Sequence, residues 1–164
     1  MSLDRPDDLA AVALAVSFVA VLAVVTVTDL DRRVIPNRTL AVGALACLAI
    51  VAAADPGTLP ERALAAAGAG GFLLLGAIWD RPGMGMGDVK LAAVMGLYLG
   101  GAVAVALLVG LVAGGTVGVA LIARHGLAAR THPLPFGPFL ALGGVVALAI
   151  GDPLLEWYLD GLLR

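Results

Sequence analysis

Long apolar runs separated by short polar clusters dominate the chain. Residues 9 to 28 are almost all Ala, Val and Leu, with Ser17, Thr26 and Thr28 as the polar interruptions. A helix of that length rises about 30 Å, which matches a bilayer core. Two further runs lie near residues 39 to 54 and 63 to 79. From Leu91 to Ala123 no residue is charged. As one helix that stretch would be about 50 Å long, too long for one comfortable crossing. Gly100-Gly101 offers a break, giving a short helix and then a full one. A last run extends from near Phe136 to near Ile150. The pattern predicts an all-α, polytopic membrane helix bundle with about six transmembrane helices, a single integral-membrane domain over residues 1–164. Gly110, Gly114, Gly115 and Gly118 suit close helix packing in lipid.

Composition supports the membrane reading. Of 164 residues, 61% are hydrophobic and only 13% charged, and the mean hydropathy is +1.03. Soluble domains are nearer half apolar and a quarter charged. A net charge of -2 gives no reason to expect nucleic acid. One cysteine, Cys47, sits in an apolar run and reads as a packing residue. The start, MSLDRPDD, is acidic, whereas a secretory signal begins basic. The first run therefore reads as a retained span.

Charge tests the count. With six spans, three loops share one side and hold Arg32, Arg33, Arg38, Arg81, Lys90, Arg124 and Arg130. The other side keeps Arg5, Arg62 and Arg164 among Asp4, Asp7, Asp8, Asp55, Glu61, Asp152, Glu156 and Asp160. Five spans would spoil this asymmetry. The positive-inside rule makes the first side cytoplasmic and leaves both termini outside the cytoplasmic membrane.

Four acids fall on that cytoplasmic side: Asp29, Asp31, Asp80 and Asp88. Acids at a membrane boundary are costly unless solvated or paired, which makes them functional candidates. Asp31 and Asp80 read as ordinary loop charges. Asp29 directly follows the first span in TVTDLDRRVIPN, and Asp88 precedes the fourth in GMGMGDVK. Gly85 and Gly87 permit backbone shapes closed to other residues and remove side chains that would block approach, so the loop is expected to be mobile. Two carboxyl groups near one another resist joint ionisation and share a proton. The ionised member takes a proton from water, while the protonated member donates to the carbonyl under attack. That chemistry needs no metal and no cofactor. Neither an HExxH zinc motif nor a GxSxG nucleophile elbow is present. Intramembrane acids also serve ion pathways, so a small transporter or ion-binding membrane protein is the alternative class. Such a path calls for acids at mid-depth, and no predicted span contains one.

Three motifs in order resemble the type IV prepilin peptidases, membrane aspartic proteases of the GxGD type. They are Asp29 seven residues before Pro36 of Ile35-Pro36-Asn37, the box Gly85-Met86-Gly87-Asp88, and the late PFGPFLALG segment from Pro135 to Gly143. The resemblance implies that Asp29 and Asp88 are the catalytic pair. It also implies a prepilin-like membrane protein as substrate, from type IV pilin, tight-adherence pilin or preflagellin precursors. A short basic leader is cut away at the cytoplasmic membrane face, usually after a glycine that precedes the hydrophobic helix. Larger relatives carry paired CxxC motifs and also N-methylate the new terminus; a chain with one cysteine resembles the compact form. A non-catalytic pilus-assembly component is a further alternative, which the presence of both acids argues against.

Around this pair, Lys90 reads mainly as a topology signal, with orientation of Asp88 or substrate binding as its other role. Pro36 and Asn37 are expected to turn the chain and cap the next helix. Pro135 and Gly137 belong to a segment that fixes the entry of the last span or shapes a substrate groove.

Overall fold

The computed structural model describes residues 6–79, 85–125 and 135–162. They form six α-helices: α1 (Pro6–Arg32), α2 (Asn37–Ala54), α3 (Leu59–Trp79), α4 (Met86–Leu99), α5 (Val103–His125) and α6 (Gly137–Leu162). Short 3-10 turns at Pro56–Thr58 and Gly100–Ala102 lead into α3 and α5. The protein is therefore an all-helical, multi-pass membrane bundle. Its stretches long and apolar enough to cross a membrane are Leu9–Arg32, Asn37–Ala54, Pro56–Trp79 and Met86–Arg124, with a shorter apolar segment at Gly137–Gly151.

The charge-free run breaks where the sequence suggests. Gly100 takes φ 55, a left-handed conformation that a side chain makes costly, and it separates α4 from α5. Helix ends differ more. α1 continues through Asp29 and Asp31 to Arg32, and α4 begins at Met86, before Asp88. α6 runs beyond Ile150 to Leu162 with Pro153 inside it. Hydropathy follows depth in the bilayer, whereas a helix continues as long as its backbone bonds close.

Three antiparallel pairs build the bundle: α3 with α4, α5 with α6, and α1 with α2, while α1 also meets α6 and α2 meets α4. Phe18, Leu22 and Val25 of α1, Leu73 of α3, Leu91 and Met95 of α4, and Leu140 of α6 are fully buried. In lipid such contacts are held by close van der Waals fit rather than by expulsion of water. Glycines supply that fit. A Cβ on Gly96 would lie 2.6 Å from the Ala66 backbone nitrogen, and one on Gly110 would lie 3.1 Å from the Phe139 carbonyl oxygen.

Polar groups bind the ends together. The Tyr98 hydroxyl donates to the Gly43 carbonyl at 2.8 Å, and its ring stacks on Phe18. Arg62 Nη1 donates to the Leu97 and Tyr98 carbonyls at 2.9 and 2.6 Å, satisfying the last turn of α4. These contacts hold α4 at its far end, so that its N-terminus is presented at the other end of the bundle.

Candidate active site

At that end three helix termini converge: the C-terminal turn of α1 and the N-termini of α4 and α6. Asp29 sits in the last turns of α1, where its backbone carbonyl accepts the Arg33 N–H at 2.9 Å. Arg33 has φ 52, the left-handed conformation that closes many helix C-termini. The chain turns there through Ile35 and Pro36 into α2. Asp29 faces inward and is 6% exposed, whereas Asp31, two positions on, has a side chain 73% exposed beside Arg32 at 3.6 Å. Positions two apart point to different faces of a helix, which separates the two acids of TDLD.

Asp88 occupies the third position of α4 and is 8% exposed. Its N–H donates to the Gly85 carbonyl at 3.1 Å. The helix N-terminus also favours a negative charge at this position.

Of the two roles expected of the glycines, the backbone one does not apply to Gly85, while the absence of a side chain matters at both. Gly85 has φ -76 and ψ 144, an extended conformation open to any residue. What it lacks is bulk: a Cβ there would lie 3.4 Å from Asp88 Oδ2. Gly87 lies within α4, where a Cβ would stand 3.0 Å from the Ile35 Cβ. Gly87 thus lets α4 settle against the Ile35-Pro36 turn and brings Asp88 near the end of α1. Asp29 and Asp88 are both buried at this end of the bundle.

Pro36 stands at the capping position of α2, and no side chain caps that helix. Asn37 does not take the capping role expected of it. Its Oδ1 instead accepts a hydrogen bond from Lys90 Nζ at 3.0 Å, tying the start of α2 to the start of α4. Lys90 is thereby a strut between helices. Pro135 leads into Phe136, whose carbonyl accepts the Phe139 and Leu140 amides at 3.1 and 3.2 Å. Asp80 and the Gly83-Met84 part of the glycine motif lie outside the described residues.

One contact joins the late segment to the acids. The Gly137 N–H donates to Asp29 Oδ2 at 2.9 Å in a buried setting. The sequence pointed to Gly137 only as part of a motif, because nothing in its local pattern names a partner so far away in the chain. The site therefore draws on both ends of the sequence: two buried carboxyl groups at one end of the bundle, that of Asp29 held by the first amide of α6.

A model of the type IV leader peptidase family matches residues 16–119, a range that includes both Asp29 and Asp88. The prepilin leader peptidase/N-methyltransferase of Bacillus subtilis is 37% identical over 147 residues, 88% of this chain and 58% of that protein. The protein of the same name from Aeromonas hydrophila is 33% identical over 153 residues, 87% of this chain and 51% of its own length. That of Pseudomonas aeruginosa is 35% identical over 89 residues, 54% of this chain and 31% of its own. The chain spans about half the length of the curated relatives it matches. No solved structure matches it.

Proposed function

The chain belongs to the type IV leader peptidase family, and on that premise we propose that it is a membrane aspartic endopeptidase that removes leader peptides from prepilin-like membrane proteins. The observation that carries the reading is that two buried acids, Asp29 and Asp88, lie at the same end of the bundle. One carboxylate takes a proton from water, and the water oxygen attacks the scissile carbonyl. The other, protonated, gives its proton to the carbonyl oxygen, forming a neutral diol. Collapse of the diol breaks the C–N bond: the first acid returns its proton to the departing nitrogen, while the second, now a carboxylate, takes a proton back from one hydroxyl as the carbonyl reforms. The relatives' names add N-methyltransferase activity; the pair of acids supports hydrolysis alone, and hydrolysis alone is proposed here.

The site faces the cytoplasm in this reading. Arg32, Arg33, Arg38 and Lys90 surround it, and basic residues are retained on that side of a membrane. The substrate's hydrophobic helix enters from the bilayer while its leader remains in water.

The test uses the purified protein in detergent with a fusion carrying a lysine-rich leader, a glycine junction and an apolar helix. The mass of the products should place a single cut after the glycine. Asp29→Asn and Asp88→Asn should leave the fusion intact. An intact fusion with the wild-type protein, or cleavage by both variants, would overturn the proposal.

A further inference from the structure

We propose that the Gly137-Pro138 step is a positioning element that presents one backbone amide to Asp29 and thereby fixes which carboxyl oxygen reacts. The inference rests on the peptidase reading and deepens it.

The first turn of a helix leaves its leading amides without intrahelical partners. In α6 each of them is accounted for. The Phe139 and Leu140 amides turn back to the Phe136 carbonyl. Pro138 has no N–H at all. The remaining donor, the Gly137 N–H, is spent on Asp29 Oδ2 at 2.9 Å. Proline at the second position removes the neighbouring amide that would otherwise compete for the same carboxylate.

Glycine at 137 is required by space. A Cβ there would stand 2.7 Å from Asp29 Oδ2, 3.1 Å from its Cγ and 3.2 Å from its Cβ. A larger residue would make the Asp29 carboxyl swing aside from the pose it holds here. Gly-Pro thus delivers one donor, no side chain and no second donor to a buried acid. An anion at a helix N-terminus is favoured by the amide dipoles. With Oδ2 held, Oδ1 is left to take the proton from water. Asp29 is then locked in a reactive pose before substrate arrives, and the last helix contributes to the chemistry without a side chain of its own.

Gly137→Ala alone does not decide the matter, since its added carbon could also prevent the bundle from closing. The decisive change replaces the Gly137 amide by an ester, with glycolic acid introduced at position 137 by amber suppression. This removes the N–H and adds no bulk. Cleavage of the basic-leader fusion is measured together with thermal unfolding in the same detergent. The expected result is a fall in kcat of about 100-fold, within the range of general acid–base contributions, with KM within about twofold and unfolding little changed. A kcat within about threefold of wild type would overturn the positioning role. So would a loss of kcat matched by a comparable rise in KM and a clear drop in thermal stability, which marks a merely structural contact. A wild-type protein that leaves the fusion uncut overturns the peptidase reading itself. The contact is checked independently by exchange of the Gly137 amide in 15N-glycine protein: slow in the wild type and in Asp29→Asn, fast in Asp29→Ala. Equal exchange in wild type and Asp29→Ala would show that Asp29 does not hold this amide.

Discussion

Asp29 has two tasks that can be pulled apart by substitution. It accepts the first amide of α6, and it is one of the two proposed reacting carboxyl groups. Asparagine keeps an acceptor oxygen and loses the acid, so Asp29→Asn should stay folded while cleavage falls by at least about 100-fold. Asp29→Ala loses both and should also cost about 1 kcal/mol of stability, as loss of a helix cap does. Parallel cleavage and unfolding measurements separate the two effects; equal stability of the Asn and Ala variants would deny the capping task. Asp31→Asn should retain most activity, because Asp31 is exposed and its contact with Arg32 is a surface pair of small worth. A dead Asp31→Asn beside an active Asp29→Asn would mean that the wrong acid has been chosen. The sequence shows the difference between Asp29 and Asp31 through helix periodicity and through the place of Asp29 seven residues before Pro36. It does not show the Gly137 partner, because a hydrogen bond across 108 positions leaves no local pattern.

At the scale of elements, the number of helices and the break at Gly100-Gly101 are legible in the pattern of apolar runs. Helix ends are not, since α1 and α6 continue beyond their apolar runs and α4 begins ahead of Asp88, wherever backbone bonds still close. Arg62 also escapes the sequence. It reads as a stray charge on the outer side, yet it satisfies the final carbonyls of α4. The small residues divide by environment in the same way. Gly96 presses on the α3 backbone at Ala65 and Ala66, while a Cβ on Gly71 would meet nothing within 4 Å. Gly96→Ala should therefore destabilise the bundle by about 1–3 kcal/mol, the usual cost of overpacking, and Gly71→Ala should be nearly neutral. Denaturation in mixed detergent and SDS reads both. A neutral Gly96→Ala would show that α3 and α4 separate without cost, contrary to their close contact.

For the whole molecule, the antiparallel pairs sort charge between two ends. The contacts of Gly87 with Ile35, of Lys90 with Asn37 and of Gly137 with Asp29 bring Arg32, Arg33, Arg38 and Lys90 to the end that holds the acids. Arg124 joins them, because α5 runs antiparallel to α6, with Gly114 beside Phe136 and Gly110 beside Leu140. The opposite end holds Asp55, Glu61 and Arg62. Under the proposed orientation, retention of basic residues in the cytoplasm puts both acids inside. Single cysteines test this without disturbing the basic residues. Cys47 is buried, so it should stay dark to a membrane-impermeant maleimide. Val34→Cys lies in the exposed turn after α1. It should label only once the cells are permeabilised. Asp55→Cys, exposed between α2 and the following turn, should label in intact cells. The reverse pattern would put Asp29 and Asp88 on the outer face, where a leader retained in the cytoplasm never reaches them.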